Sequence, residues 1–228
     1  KLLCVVKPNG YGHGSVQIAK SIAKIKNVQF AVFSIDEALA LRKAKIKNEI
    51  LVFSKLQKNN IELAYKENII LNLSSFDDVE HIESFYLENK VSPKYHLKFD
   101  TGMTRLGFDL NDAEAIYKRL SKSLHPYIEG VYTHFSTADE GDVSFAEKQL
   151  NDFKTVIEKV ENFGMKFKFV HCSNSGAVLN LEKSYFNMVR VGMLLYGALP
   201  SNEVSNSIGI KPVMSFCGSI VNVRKVKK

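Results

Sequence analysis

Short runs of β-branched and aromatic residues alternate along the chain with longer amphipathic segments. In the segment Ser15–Ile25, for example, Val16, Ala19 and Ile22 recur at helical spacing. Parallel strands need a covering helix at each crossover, so this alternation is typical of an α/β fold. Eight such units predict a (β/α)8 TIM barrel. The predicted strands are Leu2–Lys7, Gln29–Ser34, Ile50–Ser54, Ile69–Leu73, Tyr95–Asp100, Ile128–Phe135, Phe167–Ser173 and Val189–Gly197.

The sequence also predicts further helices and a division of the chain into two domains. Ser34 and Glu37 have the spacing of a capping box at the start of one predicted helix. Pro212–Lys228 alternates like a strand, and we expect residues 1–211 to form the barrel and 212–228 to begin a truncated C-terminal β-domain. Because the chain begins within a strand and without Met, we expect it to be cut from a longer polypeptide. The further predicted helices are Ile35–Ala44, Gln57–Lys66, Ser75–Leu87, Asn111–Leu120 and Phe145–Phe163.

Composition excludes several classes of protein. With 45% apolar residues among 228, the chain can bury a large core and is not predicted to be disordered. Its longest apolar run, Val189–Leu199, is interrupted by Arg190 and is too short to span a bilayer. The net charge of +7 is spread over lysines without interleaved aromatics, which indicates solvated helix faces and no nucleic-acid partner. Three widely separated cysteines, without zinc-ligand spacing, predict reduced thiols in a cytoplasmic protein that holds no metal.

Polar side chains are concentrated where the predicted strands end, which is where barrels build active sites. Lys7 closes the first predicted strand and precedes a glycine-rich turn. A lysine partly withdrawn from water has a lowered pKa and attacks carbonyl carbons readily. On position alone, the alternative is an ordinary solvated lysine. The other strand ends carry Asp100, Thr101, Arg105, His134, His171, Ser173–Ser175 and Arg190.

Five ordered stretches carry the most specific patterns. They are Lys7-Pro-Asn-Gly-Tyr-Gly-His-Gly14, Lys98-Phe-Asp-Thr-Gly-Met-Thr-Arg-Leu-Gly-Phe108, Gly130-Val-Tyr-Thr-His-Phe-Ser-Thr-Ala-Asp-Glu140, Ser173-Asn-Ser175 and Val189-Arg-Val-Gly-Met-Leu-Leu-Tyr-Gly197. Together they resemble the alanine racemases, enzymes that use pyridoxal 5'-phosphate. The family's usual first motif is Lys-Ala-Asn-Ala-Tyr-Gly-His-Gly, from which Pro8 and Gly10 depart.

The resemblance implies a role for each matching residue. It makes Lys7 the lysine that carries the cofactor as a Schiff base and acts as a base on one face of the substrate. Tyr11, Ser175 and the backbone N–H groups of Gly192 and Met193 would hold the cofactor phosphate. Asn174 would belong to the same cofactor site, although Asn174 and Ser175 also have the pattern of a helix cap, and both roles can hold together.

The resemblance also assigns three cations and a histidine. Arg190 would face the pyridine nitrogen, and because arginine keeps its proton, the ring would be a weaker electron sink that favours returning a proton to carbon. His134, the third expected catalytic residue beside Lys7 and Arg105, would hold Arg190 in place. Arg105 would bind the substrate carboxylate, and Lys98 matches a lysine that is carbamylated in many members. The alternatives are a buried arginine–carboxylate pair for Arg190, a core histidine for His134 and a Lys98–Asp100 ion pair.

The family resemblance implies an isomerase that interconverts L-alanine and D-alanine for peptidoglycan synthesis and works as a homodimer. In that family a tyrosine from the partner's C-terminal β-domain completes the reaction, and none of the nine tyrosines here matches it. We therefore expect the chain alone to racemise poorly or not at all. The alternative functions are a pyridoxal-phosphate homeostasis carrier with the same barrel, and a decarboxylase or racemase for a larger amino acid.

Overall fold

A computed structural model describes residues 1–120, 123–204 and 208–226 of the chain. Within these residues eight short parallel strands alternate with helices. The strands are β1 Leu2–Val5, β2 Val28–Val32, β3 Ile50–Val52, β4 Leu71–Leu73, β5 Tyr95–Lys98, β6 Ile128–Tyr132, β7 Phe169–His171 and β8 Val189–Val191.

The strands are arranged in the circular order of a TIM barrel, as predicted. They pair in two four-stranded sheets, β3-β2-β1-β8 and β4-β5-β6-β7. Backbone hydrogen bonds join the sheets on one side, from Val52 N–H to Ile70 O (2.9 Å) and from Ile70 N–H to Ile50 O (2.8 Å). On the other side Arg190 N–H donates to Ser173 O at 2.9 Å. These contacts place the carboxyl ends of all eight strands around one rim.

Helices cover the outside of the barrel and bury one apolar face each. In the longest of them, the residues Ala146, Leu150, Phe153 and Ile157 recur every three or four positions and are buried. Ser34 and Glu37 form the predicted capping box at the start of a helix. The α-helices are α1 Ser15–Ile22, α2 Ile35–Lys43, α3 Ile61–Lys66, α4 Phe76–Asn89, α5 Ala113–Arg119, α6 Ser144–Asn162 and α7 Ser175–Asn180.

The barrel interior is apolar on one side and polar on the other. Gly130 makes room for the polar side, because a Cβ atom there would lie 2.9 Å from three ring atoms of His96. Buried polar groups are costly unless they are hydrogen-bonded, so a polar half inside a barrel points to a functional site nearby. The apolar cluster contains Leu3, Val5, Ala31, Leu51, Ile70, Phe169 and Met188. The buried polar side chains of β4–β8 are Asn72, His96, Lys98, Glu129, His171 and Arg190, and Tyr132 is buried in the same strands.

Several predicted boundaries were too long. Lys7 lies two residues beyond the end of β1, and the last predicted strand stops at Val191, after which Met193–Tyr196 form a 3-10 helix. The predicted helix over 57–66 begins instead with the 3-10 turn Lys58–Asn60. The predicted strand over 212–228 was wrong for residues 212–226, which are largely exposed and form no strand, since no neighbouring edge pairs with them. The separate C-terminal domain stays a prediction.

Candidate active site

A cavity of about 520 Å³ opens at the carboxyl ends of the strands. All ten residues that the family resemblance assigned to a site line it, and they come from the five motif stretches of the chain. They are Lys7, Tyr11, Lys98, Arg105, His134, Asn174, Ser175, Arg190, Gly192 and Met193. The other strand-end candidates, Asp100, Thr101, His171 and Ser173, do not line it. Within the described parts of the chain, no group of three or more His, Cys, Asp or Glu side chains could hold a metal ion.

The side chain of Lys7 lies between aromatic rings at the cavity wall. Its Nζ is 5.6 Å from the ring centroid of Phe33 and 6.0 Å from that of Phe53. Burial lowers the pKa of Lys7 and the positive charge of Arg105 lowers it further, whereas Glu37 raises it. Lys7 is thus a partly desolvated amine and differs from the ordinary solvated lysine that its position alone would also allow.

The turn that follows Lys7 places Tyr11 against the far wall of the cavity. Gly192 permits this approach, because a Cβ atom there would lie 2.5 Å from Tyr11 Oη. The Tyr11 ring also lies 5.1 Å from the ring of Tyr196. The hydroxyl of Tyr11 and the backbone of Gly192, which are 181 positions apart in sequence, therefore belong to one surface.

Asn174 and Ser175 connect the start of α7 with the end of β8. The Asn174 side chain accepts from Ala177 N–H at 3.0 Å, so the predicted cap is formed. Ser175 Oγ accepts from Gly192 N–H at 3.1 Å and from Leu194 N–H at 3.5 Å. The serine hydroxyl keeps its own proton free to donate into the cavity.

Arg190 is buried and is held by backbone carbonyls and imidazole nitrogens. Its Nη2 donates to Thr133 O at 2.8 Å and to Cys172 O at 2.9 Å. Its Nη1 donates to His171 Nδ1 at 2.9 Å and to His171 O at 3.0 Å, and Nη2 also contacts His134 Nδ1 at 3.2 Å. No carboxylate among the described residues pairs with it, so the buried ion-pair alternative was wrong.

The charge of Arg190 is retained and its neighbours are neutral. Burial lowers the pKa of Arg190 to about 10, which still leaves the guanidinium protonated near neutral pH. Burial, followed by the charges of Arg190 and Arg105, holds the pKa of His134 well below its usual value. His134 Nδ1 must be unprotonated to accept from Arg190, which places the imidazole proton on Nε2.

Lys98 and Arg105 line the side of the cavity that follows β5. Lys98 Nζ donates to Leu106 O, and burial lowers the pKa of Lys98 to about 8. The Asp100 carboxylate accepts from the N–H groups of Gly102 (2.8 Å) and Arg105 (3.0 Å), which fixes the turn that carries Arg105. It makes no ion pair with Lys98, so that alternative was wrong. Carbamylation of Lys98 stays a prediction.

Comparison with known families decides what this barrel is. The family model described as "Alanine racemase, N-terminal domain" matches residues 1–200. The chain belongs to that family.

Named relatives agree with the family model. The chain is 35% identical to alanine racemase of Desulforamulus reducens, covering 99% of this chain and 62% of that protein. It is 36% identical to alanine racemase of Halalkalibacterium halodurans, covering 100% of this chain and 59% of that one. The crystal structure of alanine racemase from Bacillus anthracis with bound L-Ala-P is similar with a TM-score of 0.82 at 36% identity, covering 93% of this chain and 55% of that chain. The chain thus spans about 60% of the length of the curated relatives it matches.

The cavity contains residues that sequence reasoning missed. Tyr132 lines the cavity, stacks on His171 with ring centroids 4.8 Å apart and planes 5° apart, and lies 5.5 Å from Arg190 Cζ. Phe33 and Phe53 form the aromatic wall beside Lys7. His171 was noted only as a polar residue at a strand end. For Tyr132 the available signal was its position two residues before His134, which puts both on one face of the strand predicted over Ile128–Phe135.

Proposed function

We propose that this chain is the cofactor-binding barrel of an alanine racemase, which uses pyridoxal 5'-phosphate to interconvert L-alanine and D-alanine. The observation that carries the proposal is the single cavity in which the Lys7 amine faces the same space as Arg190, Tyr11 and Ser175. The alanine racemase relatives, about 35% identical over the whole chain, support this function over the homeostasis carrier.

The residues of the cavity fit this cofactor. Lys7 offers an amine for the aldehyde group, and the hydroxyls of Tyr11 and Ser175, with the N–H group of Met193, offer donors for a phosphate. The N–H group of Gly192 donates to Ser175 Oγ and supports this cradle through the serine. Arg190 uses Nη1 and Nη2 on protein acceptors, and no described residue accepts from its Nε–H. That remaining donor suits a pyridine nitrogen.

Pyridoxal phosphate, when bound, supplies an electron-withdrawing ring that makes the α-proton of an attached amino acid acidic. The residues of this chain bind, orient and move protons around it. Lys7, whose lowered pKa provides neutral amine closer to physiological pH, can take a proton at Nζ from one face of the α-carbon. Arg190 donates a hydrogen bond and keeps its proton. Arg105, whose side chain has no ion-pair partner among the described residues, is free to bind the substrate carboxylate.

We also propose the setting in which the reaction takes place. The product D-alanine would serve peptidoglycan synthesis in the cytoplasm, and a homodimer would supply the second catalytic tyrosine from the partner subunit. Within the described residues no helix combines the length and apolar character needed to cross a bilayer. All three cysteines are free thiols.

Reductive labelling tests the proposal directly. The 228-residue chain is incubated with pyridoxal phosphate, treated with borohydride and digested, and the labelled peptide is identified by mass spectrometry. We expect the pyridoxyl group on Lys7, none at this peptide in Lys7→Ala, and undiminished label in Lys20→Ala, which removes an exposed lysine of α1. Label on a different lysine would overturn the cofactor assignment. An assay for racemisation of alanine by the protein as its gene encodes it separates an enzyme from a carrier, which binds the cofactor but does not racemise.

A further inference from the structure

Glu37 makes more contacts than a helix cap needs. Its Oε2 accepts from Ser34 N–H at 3.2 Å, and its own N–H donates to Ser34 Oγ at 3.3 Å, which completes the capping box of α2. Oε2 also accepts from Phe33 N–H at 2.8 Å. Its second oxygen, Oε1, accepts from Asn9 N–H at 3.2 Å, 28 residues earlier in the chain. The carboxylate thus joins the turn after β1 to the end of β2.

Both ends of this bridge lie beside Lys7. Asn9 is two residues after it, and the ring of Phe33 lies 5.6 Å from Lys7 Nζ. Asn9 also closes the turn itself, because its Oδ1 accepts from Ser15 N–H at 3.1 Å and its carbonyl accepts from Gly14 N–H at 2.8 Å. Fixing Asn9 therefore fixes the whole turn.

The turn after Lys7 needs such a fixed point. Asn9 (φ 46°) and Tyr11 (φ 52°) both have left-handed backbone conformations, which cost free energy for residues other than glycine. Conformations of this kind persist only where surrounding contacts determine them. The Glu37 carboxylate supplies one of these contacts from outside the turn.

We propose that Glu37 is a positioning residue for Lys7, which ties the turn that follows the lysine to the aromatic wall beside it. The inference rests on the proposed function, since it concerns how the cofactor lysine is held. Glu37 does not touch the substrate space, and no ion pair forms between its carboxylate and Lys7. The amine of Lys7 is therefore free to react, while the negative charge of the Glu37 carboxylate raises its pKa without direct contact.

The negative charge of Glu37 gives the proposal a signature that a purely structural role lacks. Desolvation lowers the pKa of Lys7 most and Arg105 lowers it further, whereas Glu37 opposes both. Removing the charge should therefore lower the pKa of Lys7 and move its reaction with an acylating reagent to lower pH. The other titratable groups that share the cavity with Lys7 stay unchanged in the test, and they are Tyr11, Lys98, Arg105, Tyr132, His134, Asp139 and Arg190.

Competitive acetylation of the 228-residue chain measures this pKa without any cofactor. The extent of acetylation at Lys7 is followed by peptide mass spectrometry over a pH series in wild type, Glu37→Gln and Asp36→Asn. Asp36 is an exposed acid in the same turn of α2 and makes none of the bridging contacts, so it is the matched charge control. We expect the Glu37→Gln midpoint to lie roughly 0.5 to 1 pH unit below that of wild type, and Asp36→Asn to shift by less than half as much. Coincident midpoints for the two variants would refute the proposal.

Two further measurements separate positioning from folding. Ser34→Ala breaks the hydroxyl bond of the capping box but leaves the bridge, so it should lower the unfolding midpoint without moving the Lys7 profile. If Glu37→Ala does not fold, amide hydrogen exchange in the wild type tests whether the bridge exists. The N–H groups of Asn9 and Phe33 should both be protected, and rapid exchange at both would contradict the bridge. Should pyridoxal phosphate label another lysine while the Glu37→Gln shift persists, the proposed function fails and the positioning of Lys7 stands.

Discussion

Replacing Gly192 by alanine should weaken cofactor binding through a single displaced hydroxyl. The backbone of Gly192 has φ −109°, so alanine brings no left-handed strain. Its Cβ atom, however, would lie 2.5 Å from Tyr11 Oη, and the hydroxyl must retreat by about 0.9 Å to reach the 3.4 Å at which ordinary contact begins. A donor displaced by that distance loses most of a charge-assisted hydrogen bond, worth about 1.5–3 kcal/mol. The dissociation constant for pyridoxal phosphate should therefore rise roughly 10- to 150-fold.

A double-mutant cycle identifies the hydroxyl as the cause. Absorbance titration gives the dissociation constants of wild type, Gly192→Ala, Tyr11→Phe and the double variant. Because both single changes act through the same oxygen, the double variant should bind about as well as Tyr11→Phe alone. Thermal unfolding midpoints close to wild type confirm that the fold is retained. Additive losses, or wild-type affinity in Gly192→Ala, would refute the reasoning.

Three further predictions concern the polar interior and the α7 cap. Burial lowers the pKa of His96 to about 3 in the folded protein, whereas in the unfolded chain this histidine takes up a proton below about pH 6.5. The free energy of unfolding therefore falls as the pH falls through that range. His96→Asn should reduce this pH dependence by roughly 1.4 kcal/mol per pH unit, measured by denaturant titrations at pH 6.0 and 5.0. Tyr132→Phe removes the buried donor to Asn72 Oδ1 at 2.9 Å and should lower the free energy of unfolding by about 1–2 kcal/mol, and no change would mean that another donor replaces it. Asn174→Ala removes the cap on Ala177 N–H and should cost about 1 kcal/mol in the same assay, whereas Asn174→Asp, which keeps an acceptor oxygen, should cost much less.

The sequence was enough to predict the order of elements and most of the cavity lining. Apolar residues recur at different intervals in strands and in helices, so the two kinds of element can be told apart in the sequence. Because parallel strands must be joined by crossover helices of one hand, eight strand–helix units are compatible with few architectures. The strand-end rule then brought Lys7 and His134 to one rim. Arg190, which lies within β8, was assigned to the site by the family resemblance, as were Tyr11, Gly192 and Met193.

The contacts beneath the rim could not be predicted in the same way. Tyr132 stacks on His171, and the distance between their rings depends on the register of β6 against β7, which no local pattern gives. The bridge made by Glu37 is a similar case, because the capping box was visible in the sequence but its reach to Asn9 depends on how two turns meet. Of the strand predicted over 212–228, the described residues 212–226 form no strand, because alternation alone does not supply a neighbouring strand.

The charge distribution explains why this cavity suits an anionic ligand that carries a carbonyl group. Of the described residues that line it, four are lysine or arginine, and Asp139 is the carboxylate among them. Burial lowers the pKa of His134 and of His171 most, and the charge of Arg190, which has no carboxylate partner among the described residues, lowers both pKa values further. Burial lowers the pKa of Lys7 most, and the positive charge of Arg105 lowers it further, which increases the fraction of neutral amine available to attack a carbonyl carbon. A phosphate group entering the cavity would offset the surplus of positive charge. The features that attract the anion are thus the ones that prepare the lysine to react.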